Sequence, residues 1–217
     1  MNKGFKKFLA CLLGGLILST NSYLQAAPNK TEAELIQMLG SEDFKLKNDA
    51  LDRLPHWYPN SINAIELIKG VLRSNEVIVA TETTYETAQG GKSAKIVKPV
   101  PQLWLTRAAA RSLGNYHAKL NEEELNVVYK LLNSRDEETA MDALKALRGL
   151  DNPEAVPKII PLLQDQSVHV VRDTCRTLAV LGNKSTIPYL EPLLKNSRSD
   201  IKWDAQAAIK ALEKKQN

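Results

Sequence analysis

The side chains with chemistry to offer are few. There are three histidines, His56, His117 and His169, and beyond the first eleven residues one cysteine, Cys175. A zinc hydrolase would place two histidines one helical turn apart around a glutamate. A redox or zinc site would pair cysteines two residues apart, and a nucleotide site would need a glycine-rich phosphate loop. None of these patterns occurs, nor does a nucleophile elbow of the Gly-x-Ser-x-Gly kind. No histidine is followed by glutamate. Glu122-Glu123-Glu124 is a cluster of acids, but three acids opening an apolar helical pattern fit the first turn of a helix, where the helix dipole favours negative charge. Asp49, Asp142, Asp173 and Asp204 recur at one position of a longer pattern, which fits a ladder of bonds between neighbouring segments better than a paired-carboxylate active site. No catalytic, cofactor-binding or metal-ligating residue is therefore expected.

The elements that hold these residues repeat. Residues 140–165, AMDALKALRGLDNPEAVPKIIPLLQD, superimpose without a gap on residues 171–196, VRDTCRTLAVLGNKSTIPYLEPLLKN, at an offset of 31. Self-similarity at a fixed period of this size signals stacked repeats. Each unit reads as two helices. Ala143, Leu144, Leu147 and Leu150 share one face of the first, and Val156, Ile159, Leu162 and Leu163 share one face of the second. Asn152 and Pro153 supply a cap and a first helical position between them. Gly182 ends the equivalent helix of the next unit. Pro161 and Pro192 are expected to bend the second helices.

The register continues downstream through Asp204, Ile209 and Leu212. Upstream it runs at an offset of 34 through Arg107, Ala108 and Leu113, and then through Asp49, Leu51 and Leu54. Thr31 and Glu34 fit a capping box that starts a short leading helix. Cys175 stands where the preceding unit has Leu144, as expected of a small buried hydrophobe.

Val171-Arg172, Leu181-Gly182, Ile187-Pro188-Tyr189-Leu190 and Leu193-Leu194 resemble the HEAT-like repeats of phycobilisome lyases. The resemblance covers residues 41–213, with Met141 and Trp203 standing where Arg172 does. It implies an all-α fold, a right-handed α-solenoid of HEAT-like helix pairs. It also implies that Arg107 and Arg172 bind loop carbonyls or the recurring aspartates.

One segment breaks the period. About 25 extra residues separate Asp49 from Ala108, and residues 76–101 alternate as Val77, Val79, Thr81 and Thr83 against Ile78, Ala80, Glu82 and Thr84. With Gln89-Gly90-Gly91-Lys92 as a turn and Ala94 to Lys98 as a return, this predicts one inserted β-hairpin at about 76–100. It would lean on Trp57 or Trp104, or on a partner.

Residues 1–26 read as a signal peptide: Lys3, Lys6 and Lys7, then the apolar run Leu9–Leu18, then Ala26-Ala27. The expected repeat domain is 27–217, in the bacterial periplasm, with no stable membrane insertion after cleavage. Removing the three lysines leaves 26 basic residues against 25 acidic ones, a balance of +1. Nothing in that balance calls for nucleic acid.

The expected function is a non-enzymatic extracytoplasmic protein–protein interaction scaffold. A lyase-like or chaperone-like enzyme is the alternative that the resemblance implies. The candidate partner-binding residues are Trp57, Tyr85, Trp104, Tyr129 and Tyr189.

Overall fold

The computed structural model describes residues 29–74, 82–84, 95–97 and 101–215, the side chains of 82–84, 95–97, 101 and 102 excepted. The expected signal peptide therefore lies outside the described residues, as do Tyr85 and most of 75–100. Residues from Glu32 onward form one compact unit.

A leading helix, α1 (Glu32–Leu39), is followed by pairs of a first and a second helix. The first helices are α2 (Phe44–Trp57), α4 (Pro101–Asn115), α6 (Glu137–Gly149) and α8 (Val168–Leu181). Their mates are α3 (Ile62–Ser74), α5 (Glu122–Leu132), α7 (Val156–Ile159) and α9 (Ile187–Leu190). A further first helix, α10 (Ser199–Glu213), ends the described chain. Successive first helices pack on one another, and each second helix packs mainly on the first helix of the following pair. No pair can bury its apolar stripe alone, so burial is shared between neighbours.

The expected stripe is the core. Leu51, Leu54, Leu113, Leu144, Leu147, Leu178 and Leu212 are all buried, and so is Cys175. The expected caps are in place: Asn152 accepts from the Glu154 amide at 3.1 Å, and Asn183 accepts from the Ser185 amide at 2.9 Å. Asn121 and Glu124 form a reciprocal capping box at the start of α5, which accounts for one of the three acids there. The α8 C-terminus is closed by Lys215, whose ammonium donates to the carbonyls of Gly182, at 2.8 Å, and Val180.

Two expectations need correction. The prolines do more than bend the last two second helices. Those segments hold only a four-residue α-helix between short 3₁₀ turns, and the 3₁₀ stretches Ile160–Gln164 and Glu191–Lys195 begin at Pro161 and Pro192. A proline inside a helix has no amide to donate and clashes with the preceding turn, and the tighter winding accommodates it.

The second correction concerns the inserted β-hairpin at 76–100, which is not an element of this fold. The described architecture is helical. The strand pairing seen is three residues a side, Glu82–Thr84 antiparallel to Lys95–Val97, with Glu82 opposite Val97. The expected strand began five residues earlier, at Val77. Three pairs supply too few ladder bonds to make an independent element, which needs more strands or an apolar face packed on a helix.

Candidate functional site

The first-helix layer is laced by charge. Arg107 Nε and Arg111 Nη1 of α4 each lie 3.2 Å from Asp142 Oδ2 of α6. Arg107 also reaches Asp136 at 3.3 Å and Glu138 at 2.9 Å. Two joints further on, Arg172 Nε of α8 lies 2.6 Å from Asp204 of α10, and Arg176 Nε 3.1 Å from the other oxygen. Arg107 and Arg172 therefore hold two of the recurring aspartates, Asp142 and Asp204, as one of the two expected roles had it. The Asp204 bond raises the Arg172 pKa above its ordinary value. Asp49 departs from the ladder and pairs with Arg53 of its own helix at 2.5 Å.

The histidines do not meet. His56 stands edge-on to Trp57, with ring centroids 4.9 Å apart. His117 takes a left-handed backbone, φ 50°, in the turn after α4, and its Nδ1 lies 2.7 Å from the Gly149 carbonyl oxygen. His169 is exposed in the first turn of α8. Among the described residues no group of three metal-ligating side chains comes together. Burial pushes the Cys175 thiol up to about 12, so it is held as the unreactive thiol.

The candidate partner-binding residues divide between the two layers. Trp104, 41% exposed, lies near the start of α4 against Phe44, at 5.6 Å between centroids, and under Arg107 at 5.8 Å. Phe44 opens α2, so this contact aligns the two helix starts. Trp57 sits at the far end of α2, about 20 Å along the axis, half-buried beside a small cavity of about 500 Å³ with Tyr58 and the exposed Ile62. The two tryptophans thus do not make one patch.

Tyr129 and Tyr189 belong to the second-helix layer. Tyr189 is 54% exposed. Tyr129 is half-buried on α5. Its hydroxyl accepts from Asn152 Nδ2 at 3.2 Å, and the Lys158 ammonium lies 4.9 Å over its ring. Burial, partly offset by that hydrogen bond, raises the Tyr129 phenol above its usual value.

Around Tyr129 runs an open groove of about 1070 Å³, reaching from Arg73 at the end of α3 across α5 to Lys158 on α7. Asn126, Lys130 and Asn133 line it with Glu122 and Glu123. Arg73 donates to the buried Glu124 at 2.9 Å, which fixes the α3 side against α5. Reading the sequence singled out Tyr129 but missed Asn126, Lys130 and Lys158. Their signal was position: each lies in a second helix, off its buried stripe. A second groove of about 900 Å³ lies between the loops before α6 and α8, where Ser167 donates to Glu137 at 2.5 Å.

Among the described residues no helix is long and apolar enough to cross a membrane. Residues 125–213 match the family model of HEAT repeats. No curated protein matches the sequence. Among solved structures, the complex of CpcE and CpcF of phycocyanin lyase from Nostoc sp. PCC7120 superimposes with a TM-score of 0.62 at 22% identity, over 90% of this chain and 70% of that one. An engineered protein gives 0.53 at 19%, over 82% and 78%. A designed armadillo repeat protein in complex with peptide (KR)4 gives 0.52 at 18%, over 82% and 80%. Identities this low carry the fold and not the activity.

Proposed function

We propose that this chain, whose residues 125–213 match the family model of HEAT repeats, is a non-enzymatic scaffold that binds a protein partner in the groove across its second helices. The observation that carries the reading is the groove itself: about 1070 Å³, open, crossing three helix pairs and lined in part by Tyr129. An aromatic anchor ringed by amides and charges of both signs suits a polypeptide, which brings backbone donors and acceptors along with its side chains. One of the similar solved structures, the designed armadillo protein, holds a peptide, which supports this use of a helical stack. The address we propose is outside the cytoplasm, on the charged start, short apolar run and Ala26-Ala27 of the sequence.

The test is site-specific photocrosslinking in the native cell. A crosslinker at Asn126 or Lys130 should give a discrete adduct that the same group at Lys145, on the first-helix layer, does not give. Equal adducts from both layers, or none, would remove the groove from consideration. Mass analysis of the native protein should find a start at or near Ala27. A full-length cytoplasmic protein would overturn the address alone.

A further inference from the structure

The ladder of aspartates and arginines has one broken rung. Each joint between first helices sets a residue of one helix against the Asp position of the next. At the α4–α6 joint Arg107 and Arg111 hold Asp142, and at the α8–α10 joint Arg172 and Arg176 hold Asp204. At the α2–α4 joint both halves are lost together, with Asn48 in the Arg position and Ala108 in the Asp position, so no charge is left without a mate. Only at the α6–α8 joint is the acid kept and the arginine missing. Met141 occupies the Arg position there. Lys145, in the register of Arg111 and Arg176, lies 3.7 Å from Asp142 of its own helix.

The consequence falls on Asp173. It is 5% exposed, and its Oδ2 is buried with no hydrogen-bond partner among the described residues. Among the described residues its other oxygen reaches Arg176 of the same helix alone, at 3.4 Å. A buried carboxylate oxygen without a donor opposes the packing that surrounds it. Arg148 donating to Thr177 at 3.3 Å and the Glu137–Ser167 bond remain across this joint, with the apolar core. Neither supplies Asp173.

We propose that this joint is a built-in parting line, along which the stack yields as two cooperative blocks. Each second helix packs mainly on the following first helix, so α7 goes with α8, and the line runs between residues 150 and 152. The chain crosses it at the exposed Asp151. In a one-dimensional stack the weakest neighbour interface sets where the array divides. The division passes through the groove: Tyr129 belongs to the first block, and Asn152 and Lys158, which touch it, belong to the second. Opening the line therefore widens the groove, and an occupant that touches both blocks shifts the equilibrium between open and closed forms.

The parting line is tested without any partner, by native-state hydrogen exchange of the full chain at low denaturant. The amides of α8 and α10 should share one opening transition that lies below the transition of α2, α4 and α6. Met141→Arg, which restores the missing rung, should slow exchange in α8 and α10 by about tenfold and bring the two transitions together. Arg172→Met combined with Arg176→Lys, which copies Met141 and Lys145, should do the reverse at the next joint and let α10 exchange ahead of α8. If Met141→Arg does not fold, Asp173→Asn, which removes the buried carboxylate that no residue of α6 holds, should slow the same amides. A single transition throughout the wild-type chain, or unchanged α8 exchange in the folded variant, would overturn the proposal. Neither result would touch the groove reading, which stands or falls by crosslinking.

Discussion

Gly114 of α4 and Gly149 of α6 meet backbone to backbone. A Cβ on Gly149 would lie 2.5 Å from the Gly114 carbonyl oxygen, and one on Gly114 would lie 2.8 Å from the Ala146 oxygen. The first helices therefore approach at their C-terminal ends as closely as backbone permits, and there His117 caps the Gly149 carbonyl. Backbone is on both sides, so no flexible side chain can move aside. Gly149→Ala or Gly114→Ala should cost about 1–3 kcal/mol by overpacking. Gly70, in the interior of α3, has nothing within 4 Å of its would-be Cβ. There the same substitution should gain about 0.5–1 kcal/mol from helix propensity. Thermal or urea unfolding of the three variants checks the opposite signs.

A carboxylate in the stripe should unfold the stack. Leu147 and Leu178 are 0% exposed and sit between first helices. Leu147→Asp or Leu178→Asp puts an unpaired charge there at several kcal/mol, against a typical domain stability of ~5–15 kcal/mol. The expected result is loss of the cooperative transition by circular dichroism. A sharp transition near the wild-type midpoint would mean that the repeat register is misassigned.

The fold was legible because its main signal is periodic. Leu147 and Leu178 fall in one stripe by simple addition, and both lie in the core. The charge ladder was half legible: recurrence marked Asp142, Asp173 and Asp204, and Met141 as a departure from the arginine, but only the structure shows that Lys145 turns to Asp142 of its own helix and leaves Asp173 Oδ2 without a donor among the described residues. Local composition misled at 76–100. Alternating Val and Thr describe a chain that can be extended, and a lasting strand also needs something to pair with and something to pack on. The groove was the least legible. Lys158 meets Tyr129 across two helices 29 residues apart in sequence, and neither helix carries a sign of the other.

The Cys175 thiol links stability to alkaline pH. Burial raises it from an ordinary value near 9 to about 12 in the folded chain. Between these values the folded state keeps a proton that the unfolded state has lost, so its contribution is complete below pH ~9 and falls away as pH rises toward 12. Cys175→Ala should flatten the decline of the melting temperature across that window. Below it, iodoacetamide at pH 8 should modify the folded protein far more slowly than the urea-unfolded one. Equal rates would show that the thiol is open to solvent.

Tyr129 separates holding the groove from using it. Its hydroxyl accepts from Asn152, whose own carbonyl caps the turn at Glu154, and its ring lies under Lys158. Tyr129→Phe keeps the ring and loses one part-buried hydrogen bond, so it should cost about 0.5–1.5 kcal/mol of stability and leave most of the partner's apolar contact intact. Tyr129→Ala removes the aromatic side chain that lines the groove. If the partner seats there, affinity for the crosslinked species should fall by about 2 kcal/mol or more, as for a central aromatic at a protein interface, while Tyr129→Phe stays within about tenfold of wild type. The two variants are compared by titration calorimetry with the purified partner, at a temperature where both are folded by circular dichroism. Equal binding by Tyr129→Ala and wild type would move the interface off α5, and the exposed Tyr189 on α9 would be the next aromatic to truncate.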